Sequence, residues 1–114
     1  MVSISGNNAV LCRHELTARS FFQRLTGLLT RKFSKELDGM IFENCNAVHT
    51  FGMRYSIDVV FYTNDMKVCA AKSDLKPFRI FSAGVLKKCS VLELPAGTIE
   101  RSGCKIGDLL KITE

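Results

Sequence analysis

The stretch AVHTFGMRYSIDVVFY, residues 47–62, decides how this chain folds. Its second half, IDVVFY at 57–62, is β-branched and aromatic and suits a strand. Its first half crowds His49, Gly52, Met53 and Arg54 together. A single strand over 48–62 would exceed the usual ~3–10 residues, so the chain must break. The polar run Met53-Arg54-Tyr55-Ser56 is the natural place, and a hairpin loop there sets a definite register. Gly52 then faces Ile57, Phe51 faces Asp58, Thr50 faces Val59 and His49 faces Val60. Because faces alternate along a strand, Val48, Thr50, Gly52, Ile57, Val59 and Phe61 line one apolar face. His49, Phe51, Asp58, Val60 and Tyr62 line the other. In that register His49 and Asp58 are diagonal neighbours with backbones ~7–8 Å apart, and Arg54 sits in the loop above them.

Outward from this stretch, the rest of the chain reads as further short strands. AVLCR at 9–13 and GMIFE at 39–43 suit strands. Thr63, Asn64 and Asp65 form a turn into KVCAAK at 67–72, completing a hairpin with 57–62. Pro77 bars regular pairing at its position, and Ser82-Ala83-Gly84 marks a turn. CSVLEL at 89–94 places Leu92 and Leu94 on one face and Glu93 on the other, until Pro95 ends it. LLKI at 109–112 follows the turn Ile106-Gly107-Asp108. Ala18, Phe21, Phe22, Leu25, Leu28 and Leu29 recur at helical spacing behind a capping Thr17, which predicts an amphipathic helix over about 17–29. A second, short helix fits about 97–102, with Gly103 just past its end. The expected fold is mainly β (α+β): a small antiparallel β-sandwich or barrel of about seven short strands carrying these two helices.

A chain of 114 residues is one domain, long enough to bury roughly 65% of its unfolded surface. With 46% hydrophobic residues it is not disordered. The net charge of +5 is mild, and only Arg31–Lys32 and Lys87–Lys88 are adjacent basic pairs. Nucleic-acid binders usually cluster such residues among stacking aromatics, so the pattern argues against nucleic acid. No apolar run approaches the ~18 residues of a membrane span. The start, MVSISGNNAVLC, lacks the basic and apolar regions of a signal peptide. Five cysteines at 12, 45, 69, 89 and 104, with no CxxC, read as reduced thiols of a cytoplasmic protein. Cys12, Cys69 and Cys89 lie in apolar runs and read as core residues.

Candidate chemistry centres on the opening stretch. His49 and Asp58 make an acid–base pair if the hairpin forms. Cys45, His49 and Met53 form C-x3-H-x3-M, a soft donor set for copper or zinc. On an extended chain, however, residues four apart are ~13 Å from one another, so neither a metal site nor a Cys45–His49 catalytic pair is expected. No cofactor is implied. Gly97-Thr98 opens a helix whose first amides can face an anion. Bland readings exist for each residue: His49 bonded to backbone, Asp58 satisfying turn amides, Met53 in the core, Glu93 facing solvent.

Several segments together resemble a known family. RLTGLLTRKFSKELDGMIFENCNAVHTFGMRYSIDVVFY, followed by VLELPAGTIERSGCKIGDLL, resembles the uncharacterised bacterial family called domain of unknown function 192. The likeness runs from about 9 to 112. It rests on Arg24, Gly27, Leu28, Arg31 and Gly39, then on Cys45, His49, Thr50, Met53, Arg54, Ile57, Asp58 and Phe61. Leu92 to Gly97, Gly107 and Asp108 complete it. The resemblance implies a compact, mainly β domain and supplies no activity. The chain departs from it at Gly52, where a larger residue is common, and at Ser56, where proline is common.

These readings lead to a non-catalytic binding module. Its pocket is expected over His49, Met53, Arg54 and Asp58, with Arg24 or Glu93 at the rim. Arg54 and the positive charge favour a small anionic ligand or an acidic peptide. The alternatives are an acid–base, hydrolase-like enzyme using His49 and Asp58, and an interaction subunit that offers a sheet edge to a larger assembly.

Overall fold

The computed structural model describes residues 1–18, 33–84 and 88–113. Within them lie ten strands and one helix. The strands are β1 (Val2–Ile4), β2 (Val10–Cys12), β3 (Glu15–Ala18), β4 (Gly39–Phe42) and β5 (Ala47–His49). They continue with β6 (Ile57–Thr63), β7 (Val68–Leu75), β8 (Ile80–Ser82), β9 (Cys89–Pro95) and β10 (Leu110–Ile112). The helix α1 is Thr98–Ser102.

A five-stranded sheet, ordered β3-β4-β9-β6-β7, forms the middle layer. β6 pairs antiparallel with β9 from Ile57↔Pro95 to Thr63↔Cys89. Its hairpin with β7 forms around the expected turn. Because β6 and β9 are interior strands with both faces covered, Ile57 to Tyr62 and Val91 to Leu94 are all buried. On one face, Val60, Tyr62, Leu92, Leu94 and Ile41 pack against Val2, Ile4, Leu11, Cys12 and Leu110. The latter group belongs to a three-stranded sheet, β10-β1-β2. On the other face, Ile57, Val59, Phe61, Val91, Met40 and Phe42 pack against Val48, Met53, Cys45 and, at the margin, Phe81. A two-stranded ribbon, β5-β8, supplies Val48 and Phe81 to that layer. The architecture is therefore a sandwich, not a closed barrel.

Seven of the strands lie where the sequence places them, as do the short helix and its Gly103 cap, whose φ is 71°. β1, β3 and β8 are additional. Thr17 is not a helix cap, because it sits in β3 opposite Ile41, and Ala18 opposite Phe42. β3 and β4 run parallel, the exception to an otherwise antiparallel set. The cross-strand partner overrode the local capping signal, and a β-branched threonine suits the strand. The remainder of the expected helix, 19–29, lies outside the described residues.

The hairpin expected between 48–52 and 57–62 is not formed. β5 pairs with β8 instead, through Ala47↔Ser82, Val48↔Phe81 and His49↔Ile80. The physical reason is Thr50, which is fully buried. Its N–H donates to the Arg79 carbonyl (2.9 Å), and its carbonyl accepts from the Phe78 N–H (3.1 Å). Its hydroxyl donates to the Lys76 carbonyl (2.6 Å) and accepts from the Arg79 N–H (2.9 Å). These bonds hold the segment to the chain beyond Pro77. The chain still turns, with Met53 N–H donating to the Thr50 carbonyl (3.2 Å) and Gly52 at φ 85°, but β6 leaves that turn into a different sheet.

Gly39 begins β4 where a side chain has no room. A Cβ there would lie 2.8 Å from Cys12 Sγ and 3.1 Å from Cys12 Cβ. Burial pushes the Cys12 thiol up from 9.0 to about 12, with the Glu15 and Asp38 carboxylates adding to it. Burial likewise pushes the Tyr62 phenol up to about 12 and the Cys104 thiol up to about 11.

Gly39→Ala is expected to destabilise the protein by about 1–3 kcal/mol, and by less in a Cys12→Ala background, where Sγ is gone. Urea denaturation of the four proteins of that cycle measures it. The raised thiols and phenol keep their protons in the folded state after the unfolded chain has begun to lose them. Their contribution to stability is complete below about pH 9 and is lost as pH rises toward about 11–12. The urea midpoint should therefore fall between about pH 8 and about pH 10.5.

Candidate functional site

Asp58 is at the centre of the structure and has a structural task. It is 0% exposed and lies on the face of β6 shared with Val60 and Tyr62. One carboxylate oxygen accepts from the Asp74 N–H and the other from the Ile99 N–H, both at 2.8 Å. The first bond fixes β7 at Asp74, which adopts φ 55°. The second satisfies an amide in the first turn of α1, where no side-chain cap exists. A first-turn amide that can face an anion is thus taken by the chain's own Asp58.

His49 is elsewhere. It is exposed at the end of β5, on the outer side of the ribbon whose Val48 enters the opposite core. The five-stranded sheet lies between the imidazole and the Asp58 carboxylate, so the expected acid–base pair is not formed. Met53 is 8% exposed and packs in the core beneath the ribbon. Arg54 is exposed in the following loop. Arg24 lies outside the described residues. Cys45 and Met53 point into the core while His49 points out, so C-x3-H-x3-M does not converge. Among the described residues no three His, Cys, Asp or Glu side chains are grouped to hold a metal ion.

Glu93 does not face solvent. It is 4% exposed, on the core face with Met40 and Val59 as its cross-strand partners. Tyr55 is close by: burial and then the Glu93 charge push its phenol up from 10.0. The Tyr55 ring meets Phe33 edge-on, with centroids 6.3 Å apart. Glu93 and Asp58 therefore serve opposite faces of the same sheet.

What the structure gathers around His49 is an exposed apolar face. The imidazole stacks on Phe51, with centroids 5.5 Å apart and planes at 26°. Phe51 in turn meets Phe78 at 6.4 Å. Ile80 stands directly across from His49. Phe51 is 47% exposed, Phe78 62% and Ile80 67%, values far from those of a core. Lys76 and Arg79 are exposed in the same segment, although Lys76 already pairs with Asp74 at 2.6 Å. Phe78 has φ 62°, a left-handed backbone that bulky residues seldom adopt. The bonds from Thr50 to the carbonyl of Lys76 and the amides of Phe78 and Arg79 hold that conformation. Sequence reasoning missed Phe78, Arg79 and Ile80. Their signal was KPFRIF at 76–81, where basic and apolar residues alternate just after a proline.

Comparison with known proteins identifies the family and the fold. The profile of domain of unknown function 192, described as "Uncharacterized ACR", matches residues 3–112. The chain belongs to that family. No curated protein matches it in sequence. A protein of unknown function from Novosphingobium aromaticivorans DSM 12444 has a similar structure: TM-score 0.75 and 23% identity, over 97% of this chain and 83% of that one. A Sinorhizobium meliloti 1021 protein, provisionally named a transcription regulator, also has TM-score 0.75, with 24% identity over 96% and 90% of the two chains. At these identities both show a shared fold. Among the described residues no helix is long and apolar enough to cross a membrane.

The two ends of the supposed pair should behave differently on substitution. Asp58→Ala leaves two part-buried amides without their acceptor and is expected to cost about 2–3 kcal/mol. His49→Ala should stay within about 0.5 kcal/mol of the parent. Urea denaturation of the two variants distinguishes a buried structural carboxylate from an exposed imidazole.

Proposed function

We propose that this member of the family is a non-catalytic binding module whose recognition face is the His49, Phe51, Phe78 and Ile80 surface, and that its partner is an acidic peptide carrying an apolar side chain. The observation that carries this reading is the run of exposed rings at the ribbon end, His49 on Phe51 and Phe51 beside Phe78. Contiguous apolar side chains on a small domain's surface mark interaction sites, while scattered single ones do not. Aromatic side chains backed by arginine are also the residues that most often dominate binding energy. Arg79, Arg54 and the net charge of +5 supply the electrostatic side, favouring a partner with carboxylates. An extended peptide suits such an open face better than a small anion does, because a small ligand gains its affinity from enclosure.

The test is an NMR titration of the labelled protein with an acidic peptide containing phenylalanine and leucine. A neutral peptide of the same apolar content and a DNA duplex serve as the other arms. Amide shifts confined to 49–51 and 78–80 are expected with the acidic peptide. The Phe51→Ser/Phe78→Ser variant should weaken that binding about tenfold or more. Equal response to the neutral peptide, or shifts centred elsewhere, would overturn the proposal. Preferential response to the duplex would overturn it in favour of nucleic-acid binding.

A further inference from the structure

Away from the ring surface, two cysteines meet where β9 begins. Cys45 N–H donates to the Cys89 carbonyl at 2.8 Å. In return, Cys89 Sγ donates to the Cys45 carbonyl at 3.4 Å. These two bonds hold the two backbones side by side, and a disulfide asks for Cα atoms ~4.4–6.8 Å apart. Both are reduced in the structure, and both pack in the same core cluster. Cys45 Sγ is turned to the Ala47 carbonyl at 2.9 Å, so a rotation about its Cα–Cβ bond is needed to bring it to Cys89. The backbone already holds the two residues opposite each other.

A second, independent feature is access. Cys45 and Cys89 line a solvent-open cavity of about 330 Å³, together with Asn44, Asn46 and Lys88. Lys88 is exposed at its rim.

We propose that Cys45 and Cys89 form a dithiol–disulfide site that exchanges with low-molecular-weight disulfides entering through this cavity. Cys45 gives its proton to water, and its thiolate attacks one sulfur of the incoming R–S–S–R. That bond breaks, one RS⁻ leaves and takes up the proton, and a mixed disulfide remains on Cys45. Cys89 then loses its proton, and its thiolate attacks the Cys45 sulfur, expelling the second RS⁻, which is protonated in turn. Two protein thiols are oxidised to one disulfide, and one R–S–S–R is reduced to two RSH. The product ties the turn before β5 to the first residue of β9. This site stands independently of the ring surface and its partner.

The test incubates the folded, full-length protein with glutathione disulfide and glutathione at a series of ratios. Intact mass, thiol counting and peptide mapping are then read without prior denaturation. The expected product has lost two hydrogens and two of its five titratable thiols, with the peptides bearing Cys45 and Cys89 joined. Cys89→Ser should halt at a single glutathione adduct on Cys45 and Cys45→Ser should form no link, whereas Cys12→Ser should still form it. The wild-type protein alone decides the matter: five thiols remaining reduced, adducts that never resolve, or a link through any other cysteine would overturn the proposal.

Discussion

The Asp58 carboxylate is the constraint around which the other elements are placed. A charged group at full burial is costly unless its oxygens are satisfied by donors, and here each oxygen receives a backbone N–H at 2.8 Å. One donor belongs to β7 and the other to α1, so a single side chain of β6 fixes a sheet edge and the helix that follows β9. The helix has only Thr98–Ser102 and Gly97 as its N-cap, with no side-chain cap of its own. A helix this short has little intrinsic stability. It stands because Asp58 satisfies its first turn and Ile99 packs on the neighbouring core.

With β6 committed to both faces, the segment before it had to find another partner. Thr50 supplies that partner through its four bonds to residues 76–79. Val48 and Phe81 turn inward and seal the core, and the alternation of the strand then sends His49 and Ile80 outward. The exposed rings are a geometric consequence of the buried threonine. The same closure brings the turn at Cys45 beside Cys89, through the backbone bond that starts β9's contact with that turn. The exposed rings and the thiol pair thus lie on one layer, the ribbon side of the sheet, while the three-stranded sheet covers the other side.

Much of this was legible before any coordinates. IDVVFY and CSVLEL carry enough β-branched and apolar residues to read as strands, and Thr63-Asn64-Asp65 marks the turn into β7. The shared face of Ile57, Val59 and Phe61 also survived, since alternation along a strand does not depend on which strand lies beside it, while Val48 packs against that face from the ribbon. The site did not survive, for a related reason. His49 and Asp58 were placed on one face by assuming that the chain pairs with itself across Arg54, and β5 pairs across Pro77 instead. Glu93 was misplaced differently: a charged residue alternating with leucines looks amphipathic, yet β9 is covered on both sides.

The sequence by itself determined the composition of the layers: strand-forming runs, their turns, the glycine that ends α1 and the family to which these segments belong. These are local properties, set by side-chain shape and backbone preference within a few residues. Only the tertiary structure decided which strands are neighbours. It put Asp58 and His49 on opposite sides of a sheet, exposed Phe51, Phe78 and Ile80, and brought Cys45 to Cys89. Partner choice is a long-range outcome, fixed by where buried polar groups such as Thr50 and Asp58 find their hydrogen bonds, and spacing along the chain does not encode it.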